Sequence, residues 1–342
     1  MIGQVTSLTG PNYMGLENRD GAQLAVRQLN DRGGLLGRRV ELRVEDDASL
    51  PTGAVDGYHR LADREVTAVV GTSFSNASLA VLPHTDDRKV VYVSTGAAHT
   101  QVDPVRPYVF MTPPTGRLVA AQLLRYFREH GLSRVAVVFD SDSVFNREAW
   151  ATQATMLSEF GIEVVTVESV KVDTRDFGPT VAAIAHSGAQ ALMAWVTGPP
   201  ATGIGTRVSL SGPEHSDGRR NRCRQPGFRG RGRPPSAIRA VIADLTEPFE
   251  RSHGAPPSQF AVDGYTAVTL IAAALGAAGD DAPQAVQQAM ESLICLTPEG
   301  EYHFTPTDHS GLRTHDVAVA VIRDGRFRLT PWSYAELRRH LK

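Results

Sequence analysis

Short apolar segments alternate with amphipathic segments along most of this chain, and this alternation limits the folds available to it. The first apolar segment, Ile2–Ser7, ends in a Gly-Pro turn, and Ala22, Val26 and Leu29 then follow at helical spacing. Similar pairs recur as far as about residue 196. A strand, a helix and a second strand in this order form a parallel βαβ unit, whose sheet is covered by helices on both faces. The alternation therefore predicts an α/β fold.

The predicted strands fall into two series, each of which predicts one doubly wound parallel sheet. The first series comprises Ile2–Ser7, Val40–Glu45, Ala68–Val70, Val90–Val93 and Tyr108–Met111. The second series comprises Arg134–Phe139, Glu163–Val167 and Ala191–Val196. A length of 342 residues is typical of two domains. We therefore expect two lobes, each built around its own sheet.

Small and hydroxyl-bearing residues follow the carboxyl ends of these strands. Ser73 and Ser75 follow the third strand, Gly96 follows the fourth, and Thr197 and Gly198 follow the last strand of the second series. In open α/β sheets, ligands bind at the carboxyl ends of the strands. The sequence therefore predicts a binding cleft between two polar sheet edges.

Sequence motifs of the common enzyme and cofactor sites are absent. No Gly-x-Gly-x-x-Gly follows the first strand, and no Gly-Lys-Ser or Gly-Lys-Thr phosphate loop occurs. Residues 71–75 resemble a nucleophile elbow only loosely, because its last Gly is missing. The eleven His residues show no spacing that favours a metal site. We expect no cofactor, no metal and no catalytic residue.

Charge is distributed unevenly along the chain. Between Thr206 and Ser236, eight Arg residues stand against one Glu and one Asp, so the rest of the chain is net negative. A negative body disfavours nucleic acid as its partner. No apolar run approaches the ~18–20 residues of a membrane span, and two cysteines exclude a disulfide scaffold.

The segment Thr206–Ser236 also lacks a hydrophobic period, and three interpretations of it stay open. Its Arg-Gly repeats resemble disordered tracts that bind nucleic acid. Its polarity is also typical of a solvated linker. The interpretation we favour is a compensated pair of frameshifts in the gene, because GC-rich codons read out of register yield mostly Arg, Gly, Pro and Ser.

Several short motifs occur in a fixed order: Gln4–Pro11, Gly33–Arg39, Glu45–Asp47, Tyr92–Gly96 and Asp308–Gly311. Together they resemble the periplasmic branched-chain amino-acid-binding proteins, which are the type I solute receptors of ABC importers. The resemblance covers nearly the whole chain outside residues 206–236. It implies the type I periplasmic-binding-protein fold, in which two doubly wound lobes are joined by a three-strand hinge.

The resemblance also implies that each lobe is discontinuous in sequence. The chain is expected to cross between the lobes near Thr112–Thr115, within the anomalous segment, and near Arg313–Asp316. Residues 1–114 and 237–314 would then form the N-terminal lobe. Residues 115–236 and 315–342 would form the C-terminal lobe.

By position in this family, a hydroxyl after the third strand and backbone amides after the fourth would bind a ligand carboxylate. Exposed amides at strand ends can form such an anion site without a buried cation. Ala98 stands where the family commonly has Thr, so a side-chain donor is lost there. The candidate ligand-binding residues are Ser73, Ser75, Gly96, Ala97, Ala98, Tyr13, Met14, Phe145, Thr197 and Gly198, of which Phe145 fits the aromatic residue over the ligand.

Some of these residues also fit an ordinary structural role. Ser73 and Ser75 are typical N-caps of a following helix, and Phe145 is typical of a packed core. Asp46 and Asp47 follow the second strand and are better interpreted as solvated caps than as a cation site.

The predicted function is that of an extracytoplasmic solute receptor of an ABC importer. Its ligand would be a branched-chain type amino acid or another small carboxylate, and its protein partner the membrane permease. We expect a monomer, periplasmic or extracellular and compatible with a lipid anchor, although the chain begins without a basic and hydrophobic leader. The alternatives are a cytosolic ligand-sensing regulator, which needs a helix-turn-helix ahead of Met1, and an α/β enzyme, which needs a base and a nucleophile in the cleft.

Overall fold

Two parallel sheets form the centre of the molecule in the computed structural model, which describes residues 1–11, 14–211, 236–323 and 326–340. The strands of the first sheet are β1 (Ile2–Thr6), β2 (Leu42–Asp46), β3 (Ala68–Val70), β4 (Val91–Ser94) and β5 (Val109–Met111). The strands of the second sheet are β6 (Arg134–Asp140), β7 (Glu163–Val170) and β8 (Ala191–Trp195). The sheet orders are β2-β1-β3-β4-β5 and β7-β6-β8, with every pair parallel. The predicted α/β class is confirmed.

Helices alternate with these strands and continue after them. Those within the two strand series are α1 (Met14–Asp31), α2 (Pro51–Ala62), α3 (Ser75–Arg88), α4 (Gly116–Glu129), α5 (Val144–Met156), α6 (Gly178–His186) and α7 (Gly198–Ser211). The later helices are α8 (Ser236–His253), α9 (Gln259–Ala278), α10 (Pro283–Met290) and α11 (Pro331–His340). Two antiparallel hairpins complete the described chain, namely β9 (Ile294–Thr297) with β10 (Gly300–His303), and β11 (Ala320–Arg323) with β12 (Arg326–Leu329).

Helix α9 returns the later part of the chain to the first sheet, where it packs along α1. A Cβ on Gly21 would lie 1.8 Å from the carbonyl oxygen of Ala261, and one on Gly264 would lie 2.0 Å from that of Asn18. Glycine is therefore required at both positions, because any side chain would force the two helices apart. The amide side chain of Asn18 also donates to the carbonyl of Phe260 (3.0 Å).

By length and composition, α9 is apolar enough to cross a membrane, so the expectation that no apolar run reaches this length was wrong. However, 67% of the apolar 18-residue stretch of this helix is buried inside the protein. The helix contributes Val268, Leu270 and Ile271 to the core that covers the first sheet. This burial is typical of the central helix of a globular domain.

Regular structure continues further into the anomalous segment than the sequence predicts. The hydrophobic period was expected to end at Gly205, but α7 extends to Ser211. Ile204 is 2% exposed and belongs to an apolar cluster with Phe177, which anchors one face of this helix. Among the residues of α7 whose burial the structure describes, Pro200 and Ile204 are buried, and two such residues are too few for a recognisable hydrophobic period. The remainder of the anomalous segment, residues 212–235, lies outside the described residues.

The segment between the two sheets is held by side chains from the later part of the chain. The hydroxyl of Tyr302 donates to the carbonyl of Thr112, where the chain leaves β5. The amide of Met111 donates to the carbonyl of His309 (3.1 Å), whose Nδ1 lies 2.7 Å from the carbonyl oxygen of Val109. Because burial lowers the pKa of His309, its neutral form is favoured in this position.

The carboxyl groups of the buried Asp263 and the half-buried Glu299 lie together beside Tyr302. The side-chain amide of Gln259 donates to Asp263 Oδ1 (3.1 Å) and to Glu299 Oε1 (2.6 Å). Glu299 Oε2 lies 2.9 Å from the Tyr302 hydroxyl. Burial and the neighbouring Glu299 raise the pKa of Asp263 well above its usual range, and burial raises that of Glu299. The pair therefore holds a proton more tightly in the folded than in the unfolded protein.

We predict that Asp263→Asn weakens the pH dependence of stability. A raised folded-state pKa stabilises the protein at low pH, and that contribution is lost as the pH rises above the unfolded value of ~4. The free energy of unfolding of the unchanged protein should therefore fall between pH 4 and pH 8, whereas that of Asp263→Asn should fall less. Urea unfolding at several pH values measures this, with exposed Asp280→Asn as the control. Parallel curves for the two proteins would contradict the buried-proton interpretation.

Candidate functional site

The loops after the neighbouring strands β3 and β4 meet at one point. Ser75 is the first residue of α3, and its hydroxyl oxygen accepts a hydrogen bond from the amide of Ala98 (3.2 Å). A Cβ added to Gly96 would lie 3.2 Å from both the Cα and the Oγ of Ser75. Three of the predicted site residues are thus in direct proximity. The Gly96 amide itself donates to Ser94 Oγ (3.0 Å), so it is already used within the loop.

A fully buried glutamine holds the second of these loops. Gln101 Nε2 donates to the carbonyls of Gly96 (2.8 Å) and Ala98 (3.0 Å), while Oε1 accepts from the hydroxyls of Ser78 (2.5 Å) and Ser94 (2.6 Å). Both donors and both lone pairs of the side-chain amide are therefore occupied. This one side chain therefore contributes four of the hydrogen bonds that hold the loop in place.

The same network extends to the loop after β3 through Tyr92. The amide of Thr72 donates to the Tyr92 hydroxyl (3.3 Å), which lies 2.9 Å from Ser78 Oγ. Because the Ser78 hydrogen is directed to Gln101, Tyr92 donates to Ser78. Burial raises the pKa of Tyr92, so its hydroxyl stays a donor. Gly71 is required beneath this ring, because a Cβ there would lie 2.3 Å from the tyrosine hydroxyl.

The serine residues of this site are not helix caps. The N-cap position of α3 is Phe74, and no side chain caps it. The backbone amide of Phe74 instead donates to the hydroxyl of Thr72 (3.4 Å). Ser73 Oγ is buried and has no hydrogen-bond partner in the described part of the chain. The interpretation of Ser73 and Ser75 as helix caps is therefore wrong.

The loop after β1 is hydrogen-bonded to the residues at the end of β2. Asp46 Oδ1 accepts from the amides of Leu8 (2.9 Å) and Thr9 (3.2 Å), and these bonds with the Thr9 hydroxyl lower the pKa of Asp46 although burial opposes this. Asp47 is fully buried and accepts from the Ser7 hydroxyl (2.6 Å). Asp47 is buried, so its interpretation as a solvated cap is wrong, whereas Asp46 is half-buried and also accepts from the amide of Ala48 (2.9 Å), as a cap does. Both aspartates join the first loop to the second.

The structure describes four of the five candidates Tyr13, Met14, Phe145, Thr197 and Gly198. Met14 is half-buried at the start of α1, whereas Tyr13 lies outside the described residues. Phe145 is half-buried in the first turn of α5, with its ring centroid 6.0 Å from that of Trp195. It thus combines core packing with a position at the sheet edge. Thr197 is exposed, and Gly198 (φ +63°) begins α7.

Direct hydrogen bonds join the two sheets beside these residues. Asn76 Nδ2 donates to the carbonyl of Asp142 (3.1 Å), and Asn76 Oδ1 accepts from the amide of Val144 (3.0 Å). Asn76 follows Ser75, and Val144 precedes Phe145. The two sheet edges therefore face each other with these candidate residues between them.

Several residues that shape this site were not predicted from the sequence. Gln101, Tyr92 and Ser78 position the loops, and Asn76 connects the sheets. None of them carries a local signal, because a polar residue in a helix or a tyrosine in a buried strand fits many environments. Only their three-dimensional partners distinguish them.

We predict that Gln101→Leu lowers the thermal stability of the protein. The substitution removes the acceptor of two buried hydroxyls and the side-chain donor to two carbonyls, and each buried group left unsatisfied costs ~1–3 kcal/mol. The free energy of unfolding should therefore fall by at least ~2 kcal/mol. Calorimetric melting against the exposed control Gln284→Leu measures the change. Equal melting temperatures for the two variants would show that the network does not hold the loop.

The sequence of this chain is similar to those of a known protein family. The family model described as "Periplasmic binding protein" matches residues 1–212 and 232–326. The leucine-, isoleucine-, valine-, threonine- and alanine-binding protein of Pseudomonas aeruginosa is 25% identical, over 91% of this chain and 87% of its own length.

Solved structures show the same fold. The branched-chain amino acid transporter substrate-binding protein of Streptococcus pneumoniae in complex with isoleucine has a TM-score of 0.80 at 18% identity, covering 96% of this chain and 98% of its own. A solute-binding protein of an ABC transporter from Rhodopseudomonas palustris, in complex with 3,4-dihydroxybenzoic acid, has a TM-score of 0.78 at 18% identity, covering 95% and 94%. The family match spans most of the chain on both sides of the anomalous segment, and the chain therefore belongs to the periplasmic binding protein family.

Proposed function

We propose that this protein is an extracytoplasmic solute receptor of an ABC importer, whose ligand is a branched-chain type amino acid or another small carboxylate. The observation that carries this proposal is the hydroxyl of Ser75. Its oxygen accepts from the amide of Ala98, and no acceptor for its own hydrogen occurs in the described ranges. That hydrogen is available to a bound anion, and the unpartnered hydroxyl of Ser73 lies in the same loop. Neutral donors at strand ends are typical of anion sites.

The carboxylate is the part of the ligand that the comparisons support most directly. Isoleucine and 3,4-dihydroxybenzoic acid, which two of the similar structures contain, share a carboxylate and differ in the rest of the molecule. The named amino-acid-binding relative favours an amino acid. The half-buried Phe145 provides an apolar surface for its side chain.

The proposed function includes the two-lobed organisation expected from the sequence. The contact of α9 with α1 supports the assignment of residues 237–314 to the N-terminal lobe with residues 1–114. Residues 115–236 and 315–342 would form the C-terminal lobe. Such a receptor acts without catalysis, as a monomer in the periplasm or outside the cell, with or without a lipid anchor. Its protein partner is the permease of the importer.

The frameshift interpretation of the anomalous segment stays a prediction within this proposal. The family match stops at residue 212 and resumes at residue 232, which supports a replacement of family sequence between these points. A compensated pair of frameshifts accounts for such a replacement. The nucleotide sequence of the gene tests it, because the shifted frame should encode a family-like segment without stop codons.

We predict that Ser75→Ala weakens binding of L-leucine more than binding of L-leucinamide. The serine donates to the charged carboxylate, and loss of such a bond costs ~1.5–3 kcal/mol. The Kd for leucine should rise roughly tenfold to a hundredfold. Isothermal titration calorimetry with both compounds separates recognition of the carboxylate from a general loss of binding. An equal effect on the acid and the amide would contradict the assigned role of Ser75.

Phe145→Ala is the matched comparison for this experiment. It removes apolar contact with the ligand but no hydrogen-bond donor. We therefore expect it to weaken binding of leucine and leucinamide by the same factor. A selective effect on leucine would contradict the role that we propose for Phe145.

A further inference from the structure

Two side chains connect the edges of the two sheets without being candidate ligand residues. The first is Asn76, at the start of α3. Its amide group donates to the carbonyl of Asp142 (3.1 Å) and accepts from the amide of Val144 (3.0 Å). One side chain thus forms two hydrogen bonds to the segment that leads into α5.

The second is Glu148, in the second turn of α5. Its Oε1 accepts from the hydroxyl of Thr100 (2.6 Å), and its Oε2 lies 3.1 Å from His99 Nδ1 and 3.5 Å from the amide of Thr100. The carboxylate therefore contacts the short helical turn that follows the Gly96–Ala98 loop. These contacts are independent of those of Asn76, because they involve different loops of the first sheet.

Both sets of contacts lie directly beside the candidate site. Asn76 follows Ser75 in sequence, and His99 follows Ala98. On the other side, Glu148 lies one helical turn after Phe145, so the two residues share a face of α5. Contacts next to each half of the site are made only when the two halves come together.

We infer that Asn76 and Glu148 act as a latch that favours the closed arrangement of the two lobes and raises affinity without contacting the ligand. A receptor binds most tightly in its closed form, and its apparent Kd is the intrinsic value divided by the closed fraction. Polar contacts between the lobes increase that fraction before any ligand binds. Asn76 and Glu148 are thus positioning residues. In its effect on affinity, this inference rests on the proposed function.

The structural part of the inference can be tested without a ligand. Small-angle X-ray scattering of the ligand-free full chain should give a larger radius of gyration for Asn76→Ala combined with Glu148→Gln than for the unchanged protein. Glu159→Gln is the matched control, because Glu159 is an exposed acid in the helical turn that follows α5. An unchanged radius of gyration in the double variant would overturn the latch.

The effect on affinity is tested with L-leucine as the probe. Asn76→Ala should raise the Kd roughly tenfold, which corresponds to ~1.4 kcal/mol. Asn76→Asp keeps the acceptor for Val144 but sets a carboxylate oxygen against the carbonyl of Asp142, so it should raise the Kd at least as far as Asn76→Ala does. A Kd equal to that of the unchanged protein in both variants would overturn the role of Asn76 in affinity.

The two experiments distinguish the inference from the function on which it rests. If the unchanged protein does not bind leucine, the proposed amino-acid ligand is wrong. The radius of gyration of the ligand-free variants still decides whether the latch exists. Circular dichroism spectra that match the unchanged protein exclude unfolding as the cause of a larger radius.

Discussion

The side-chain amide of Gln101 is the interaction on which the first-sheet half of the site depends. It connects α3, the end of β4 and the loop that follows, through four hydrogen bonds in a fully buried position. A buried charge at this point would need a partner of opposite charge, whereas a neutral amide is satisfied by hydroxyls and carbonyls alone. The loop is consequently placed before a ligand arrives, and the cost of ordering it is met during folding.

The fold was predictable from local patterns because its strands are buried and its helices amphipathic. The strands β1 to β8 were predicted within a few residues of their observed ends. Helices α10 and α11 were not predicted. Helix α7 was not predicted either, because Gly, Pro and Thr dominate its sequence.

The candidate site was predictable only in outline. Ser75 and Gly96 were found because ligands bind at the carboxyl ends of parallel strands, and this rule does not depend on the side-chain contacts of a particular protein. Asn76 and Glu148 were not found, since their partners lie 48 or more positions away in sequence, and Gln101 was not found because its bonds form only once the loop after β4 is folded. Asp47 was misinterpreted for the same reason, because its partner Ser7 lies 40 positions earlier, in the loop after β1.

The contact between Ser75 and residue 98 has a consequence for how such a receptor changes over evolution. At residue 98 it is the backbone amide that donates to the serine, and at residues 96 and 98 it is the backbone carbonyls that accept from Gln101. The identity of the side chain at position 98 is therefore independent of the bonds that hold the loop. Under the proposed function, a substitution there changes the side chain beside Ser75 and leaves these backbone bonds in place. Alanine in place of a family threonine is one such substitution.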